Sequence, residues 1–302
     1  ESTGSPNHPP SGTPENEKHD QPTCFMEDQV RVLEGALPPC QIQVLRDHLF
    51  CLEKKEWGGG RCIPLSAFRS LRPRRWLSGD VINMFLQLVN VHHPEIKYFG
   101  WYFMSQLVGP PIPEKPDAPL DFHYELVAGY APRVFENSAN LFEQETICIP
   151  VHRKEGNHWS LVVVFPKKKI IEYYDSLLWS GKEYVETVYA YLRVEWKKAG
   201  KGDHIEAGGN WTLVSESPPG TKEKPNKQPN DYDCGVFLCH FVGRLFTNFT
   251  LPHTEEECLV ARNKLALLIL FYSSIPKKDW KDHSSFAEYC VACDVVGGGN
   301  IE

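Results

Sequence analysis

Apolar residues recur at helical spacing in several stretches of the chain and alternate or cluster in others. Val81, Ile82, Phe85, Leu86 and Val89 follow Ser78 three or four residues apart, which predicts a helix capped by the serine hydroxyl. "IKYFGWYFMSQL" is aromatic throughout and reads as a strand or a short helix. "TICIPVHR" (146–153) predicts a strand. "HWSLVVVF" (158–165), the turn "PKKK" and "IIEYYDS" (170–176) predict a hairpin. The unbroken apolar run from Leu161 to Phe165 suits a strand covered on both faces. Val185, Val188, Tyr189, Leu192 and Trp196 mark another helix, and so do Phe237, Leu238, Phe241 and Leu245, with its start at Cys234. Thr254 and Glu257 form a capping box ahead of "CLVARNKLALLIL", a further helix.

Polar and proline-rich stretches divide these elements. Residues 1–23 hold no aliphatic residue, no Phe, Trp or Tyr, no Cys and no Ala, and five of them are Pro. Such a segment buries too little apolar surface to offset its ordering entropy, so residues 1–25 are expected to form a disordered tail. Residues 26–62, interrupted by Pro38-Pro39 and ending after Gly58-Gly59-Gly60, read as an N-terminal extension. A compact domain is expected over 63–275, and a C-terminal tail over 276–302. Five prolines in 109–119 predict an exposed loop, and residues 200–230, rich in Gly, Pro and Lys, a second one.

Composition narrows the classes. At 302 residues with 41% hydrophobic and 12% aromatic content, the chain can bury a full domain core. A net charge of −7 argues against a general nucleic-acid or anionic-membrane binder. The longest apolar run, near Leu265–Tyr272, is far shorter than a membrane span, and none is expected. The ten cysteines are expected to be thiols, since the chain is long and opens without a secretory signal. Cys290 and Cys293 form a CxxC with no second pair suitably spaced, so no metal site is expected. The first residue is Glu, and the sequence reads as a fragment or processed form.

The chemistry concentrates in "QPNDYDCGVF" (228–237), where a polar, turn-rich run becomes apolar just after Cys234. A helix start lowers a thiol's pKa through its unpaired N–H groups, which favours a nucleophile. A small buried cysteine at a helix start fits the same residues. A nucleophile needs a base and the base an orienting group. His158 opens one hairpin strand and Asp175 closes the other, so the pairing brings an imidazole and a carboxylate together. The Cys234 N–H and the side-chain amide of Gln228, six residues earlier, are candidate donors to an oxyanion.

"NHWSLVVV", "YYDSL" and "QPNDYDCGVF" together resemble the His, Asp and Gln…Cys motifs of the ubiquitin-like-protein proteases, the SUMO or sentrin-specific proteases. "RRWLSGDVINMFLQL" resembles the same family's Trp-Leu-Asn-Asp-Glu helix start, and the likeness spans roughly 63–272. The resemblance implies an α+β papain-like cysteine protease fold of the adenain/SUMO-protease type, a central mixed sheet flanked by helices. It implies catalytic roles for His158, Asp175, Gln228 and Cys234, and a narrow tunnel for a diglycine tail walled by Trp76 and Trp159. The implied partner is a ubiquitin-like modifier, SUMO first, with its protein conjugates. The implied enzyme is a monomer without metal or other cofactor, in the nucleus or nuclear envelope and in the cytoplasm as well. Ubiquitin or another modifier is the alternative substrate. Acetyl transfer, known in the clan, fits a tunnel poorly, and a non-catalytic modifier-binding domain is the reading from another class. Where the family motif has Asp, this chain has Gly79, which puts the identity of the modifier in question.

Overall fold

Two parallel pairings at the edges and two antiparallel ones in the middle build a five-stranded sheet whose strands lie side by side in chain order. The computed structural model describes residues 63–108, 122–153, 156–218, 220, 226–274 and 277–287. The expectations for the tail, the extension, the loop at 109–119 and the Cys290–Cys293 pair lie outside these residues. All the described residues belong to one unit, Trp57–Glu302.

The strands are β1 (Ile96–Tyr98), β2 (Thr146–Arg153), β3 (His158–Phe165), β4 (Ile170–Tyr174) and β5 (Thr212–Val214). The hairpin expected from the sequence is β3–β4, with Leu161 opposite Tyr174 and Phe165 opposite Ile170. β2 joins β3 along all but its first residue, from Ile147 opposite Val164 to Arg153 opposite His158. β1 pairs only with Thr146–Cys148. Pro150 lies beyond that pairing, where its missing N–H leaves no ladder bond unmade. β5 lies beside β4 from Ile170 to Glu172, inside the stretch read as a loop. Its three residues are too few for alternation to show, and two of them are exposed.

The helices are α1 (Leu65–Phe68), α2 (Gly79–His92), α3 (Tyr102–Leu107), α4 (Tyr124–Val127), α5 (Tyr130–Phe135), α6 (Ser138–Leu141), α7 (Lys182–Lys198), α8 (Cys234–Gly243) and α9 (Glu255–Ser274). Ser78 caps α2 as expected, its hydroxyl accepting from the Asp80 N–H. The capping box also forms: the Glu257 N–H donates to Thr254 Oγ1 at 3.1 Å, and the Thr254 N–H to the Glu257 carboxylate at 3.2 Å. "IKYFGWYFMSQL" divides between β1 and α3, joined by Phe99–Trp101.

Strand alternation explains why both faces of the sheet are covered. Ile147, Ile149, Val162, Val164, Ile171 and Tyr173 share one core with residues of α3, α5, α6 and α7. Cys148, Leu161 and Val163 alternate with them and are equally buried. α8 packs on β3, and Phe241 meets Tyr174 at 5.5 Å between ring centroids. Every residue of α8 is buried, so its N-terminus is enclosed by protein. Residues 277–287 fall within the expected C-terminal tail, yet Trp280 and Phe286 are buried there, Phe286 stacking on His92 of α2 at 4.6 Å.

Candidate active site

The hairpin register sets the first pair. β3 begins three residues before the position paired with Tyr174, so His158 overhangs the end of β4 where Asp175 follows. His158 Nε2 lies 2.9 Å from Asp175 Oδ1. The carboxylate is completely buried and held from several sides: the Leu177 N–H donates to Oδ1 at 2.6 Å and the Tyr173 hydroxyl to Oδ2 at 2.8 Å. The Asp175 N–H donates in turn to Ser217 Oγ at 3.0 Å. A carboxylate accepts only, so Nε2 carries the proton and Nδ1 the lone pair. Nδ1 is buried and makes no hydrogen bond.

Cys234 is the first residue of α8 and is wholly buried. Burial pushes its thiol up to about 11, against the backbone N–H groups of Trp159 and Gly235 and the nearby Arg262 charge, which favour the thiolate. The Trp159 amide thus brings the sulfur to the residue next to His158. Burial wins over the helix-start effect anticipated from the sequence, so the resting thiol is neutral. A Cβ at Gly235 would lie 2.7 Å from Leu77 Cβ, so the close approach that glycine permits here is made by the chain itself.

Gln228 is fastened at both ends of its amide. Its Oε1 accepts from the Ser176 hydroxyl, Nε2 donates to the Asn230 carbonyl, and its own N–H donates to the Ser176 carbonyl at 3.0 Å. Ser176 directly follows Asp175, so Gln228 is tied to the same turn as the His158–Asp175 pair.

The two tryptophans differ. Trp159 is only 3% exposed and donates from Nε1 to the Leu77 carbonyl at 2.8 Å. Trp76 is 46% exposed and donates to the Asp231 carbonyl at 3.0 Å. Each indole therefore ties residues 76–77 to the walls around Cys234, one to β3 and the other to the 228–234 turn.

Arg262 on α9 was not singled out from the sequence. It is 1% exposed, and its Nε donates to Asp233, the buried residue before Cys234. Its Nη1 reaches the Ser70 and Arg72 carbonyls, and Nη2 those of Arg75 and Tyr232. All five guanidinium donors are used, and they join the 70–76 segment to the Cys234 turn. Asp233 is also held by Asn230. One sequence signal was available: Arg262 falls four residues after Cys258 and three before Leu265, on the apolar face of α9.

Gly79 is accounted for sterically. A Cβ at residue 79 would meet the Trp101 indole at 2.4 Å. Trp101 stacks on the exposed Tyr102 at 3.6 Å and meets Trp159 edge-on at 6.0 Å, so an aromatic row runs from the buried site to the surface. Aspartate in the first turn of α2 would gain roughly 0.3–1 kcal/mol from the helix dipole. Displacing a packed indole costs about 1–3 kcal/mol, the larger effect. Gly79→Asp is therefore expected to lower Tm. An unchanged melting curve would mean that Trp101 moves aside freely.

The mixed sheet flanked by helices, the buried helix with cysteine at its head and the His–Asp pair define an α+β chain with thiol, imidazole and carboxylate gathered at one end of the sheet. A family model described as "Ulp1 protease family, C-terminal catalytic domain" matches residues 75–270, and the chain belongs to that family. It is 30% identical over 203 residues to sentrin-specific protease 2 of Homo sapiens, covering 67% of this chain and 31% of that protein. A Caenorhabditis elegans sentrin-specific protease is 27% identical over 191 residues, covering 60% of this chain and 23% of that protein. The chain thus spans about a third or less of the curated relatives it matches. Among solved structures, the catalytic domain of a Chaetomium thermophilum Ulp1-like SUMO protease superposes with a TM-score of 0.54 at 18% identity, covering 78% of this chain and 90% of that one. The yeast Ulp1 protease domain in complex with Smt3 gives 0.51 at 24%, covering 69% and 83%. These likenesses carry the fold.

Proposed function

We propose that the chain is the catalytic domain of a cysteine protease that cleaves after the terminal Gly-Gly of a small ubiquitin-like modifier, SUMO first. The observation that carries this reading is the buried His158–Asp175 pair at 2.9 Å, adjoining a Cys234 thiol that receives the Trp159 amide. Family membership supports it.

The chemistry follows from the groups present. Because the resting thiol is neutral, attack needs a base, and Nδ1 of His158 has the free lone pair. Sγ bonds to the glycine carbonyl carbon while its proton passes to Nδ1. Asp175 holds the imidazole and stabilises its charged form. The oxyanion sits between the Cys234 N–H and Gln228 Nε2, whose second hydrogen is left over after the bond to Asn230. Collapse breaks the C–N bond, and the leaving amine takes the proton from His158. Water, deprotonated by the same nitrogen, then opens the thioester and restores the thiol. Thiol, imidazole, carboxylate and amide supply every group this sequence requires. Trp76 and Trp159 flank the diglycine, which alone among dipeptide tails lacks Cβ atoms.

Gln228→Ala is expected to lower kcat by about 10²–10³, the scale for one oxyanion donor. Steady-state hydrolysis checks this, and an unchanged kcat would move that role to another group.

The domain is proposed to run from near residue 63 to at least 287, since Phe286 is buried. No helix among the described residues is long and apolar enough to cross a membrane. A nuclear or nuclear-envelope location rests on the family resemblance, and a fluorescently tagged chain excluded from the nucleus would count against it.

A different modifier is the second reading, favoured by Gly79, whose neighbour Trp101 fills the space a family aspartate needs. Vinyl sulfone probes made from SUMO and from ubiquitin decide between the two. An adduct with the SUMO probe alone supports the first, an adduct with ubiquitin alone the second, and no adduct with any modifier probe would overturn the protease reading.

A further inference from the structure

Trp179 stands over the site without a part in the steps above. Its indole lies 5.1 Å from the His158 ring, centroid to centroid, and is 41% exposed. Three local features hold it there. Leu178 adopts φ +61°, rare for a branched side chain, and its N–H donates to the Asp175 carbonyl at 3.2 Å, so the chain doubles back after the carboxylate. Arg153 lies over the indole at 5.2 Å and donates to the Ser180 carbonyl at 3.2 Å. Residue 156 is glycine, where a Cβ would lie 3.1 Å from Trp179 Cη2. An unusual backbone angle, a cation over the ring and a missing side chain thus converge on one placement of a large apolar surface facing solvent.

We propose that Trp179 binds the leaving-group side of the substrate, packing against the aliphatic stem of the lysine in an isopeptide. The inference rests on the reading of His158 as the acid that protonates the leaving amine. The departing nitrogen must come within hydrogen-bond reach of His158 Nδ1, so whatever it carries passes beside the indole. In a lysine conjugate the nitrogen carries four methylenes, an unbranched apolar stem suited to a flat aromatic face. In a linear precursor it carries a branched Cα within a peptide backbone and offers no such stem. Trp179 therefore biases the enzyme toward deconjugation over precursor processing.

The test uses the full chain with Trp179→Ala and Trp179→Phe on three reagents. These are SUMO linked to a lysine peptide through an isopeptide bond, a linear SUMO precursor, and SUMO vinyl sulfone, which has no leaving group. Trp179→Ala is expected to lower kcat/KM on the conjugate roughly tenfold, the worth of a methylene or two of buried stem, and to leave the other two rates within about twofold. Trp179→Phe is expected to keep most of the conjugate activity. Equal losses on all three reagents would reduce Trp179 to a support for His158 and overturn the proposal, as would an unchanged rate on the conjugate. A wild-type chain inert toward all three would overturn the protease reading itself.

Discussion

Cys234→Ser is expected to abolish turnover while leaving modifier binding intact. Loss of a nucleophile in a coupled catalytic group costs on the order of 10⁴–10⁶ in kcat. Serine keeps the size and donor character of the side chain, and its oxygen can still accept from the Trp159 amide. The hydroxyl, however, is a far weaker acid than the thiol, so the same imidazole cannot activate it equally well. No other described thiol can substitute. Cys234 alone among them heads a helix; Cys148 lies within β2, Cys239 within α8 and Cys258 within α9. Cleavage of a SUMO precursor and equilibrium binding of mature SUMO read the two parts separately. Cleavage within tenfold of wild type would remove Cys234 from the mechanism.

Arg262→Met is expected to be the most damaging substitution away from the reacting groups. Arg262 and Asp233 are 1% and 2% exposed, so deleting the cation leaves a buried carboxylate with only the neutral side chains of Asn230 and Cys258 beside it. Breaking such a pair costs about 3–5 kcal/mol, several times the value of a surface ion pair. For a domain of this size that lowers Tm by roughly 10 °C. The carbonyls of Ser70, Arg72, Arg75 and Tyr232 lose their donor as well, which loosens the hold of the Trp76 segment on the Cys234 turn and leaves the Trp76–Asp231 bond in place. Activity should therefore fall at temperatures where the variant is still folded. Calorimetry alongside kcat measured at a low temperature checks both effects, and a Tm within a degree or two of wild type would show that the network is replaceable.

Legibility followed the length and regularity of each element. β2 and β3 were readable because each is eight residues of near-continuous apolar character, and α2 and α9 because hydroxyl caps announce their starts. α4, α5 and α6 have four to six residues each, too short for a 3.6-residue period to repeat. The His158–Asp175 contact could be foreseen because a single hairpin register fixes it. The position of Gln228 against Ser176 could not, since 52 residues separate them and no local rule joins two turns. Arg262 is likewise a long-range device, reaching carbonyls up to 192 residues away. The place of Trp179 is not legible in the sequence because it depends on a backbone angle at Leu178 that leucine rarely takes. The thiol's environment was legible in part: the helix-start N–H lowers its pKa as the sequence suggests, while burial, which depends on the tertiary packing, raises it by more.

The central claim is that Cys234 is the nucleophile serving a modifier's C-terminal glycine. Its most direct test is to react the chain with SUMO vinyl sulfone, digest the product and locate the adduct by mass spectrometry. The expected result is one adduct, on Cys234, absent when Cys234 is replaced by Ser. An adduct on any other cysteine, or none on the wild-type chain, would contradict it.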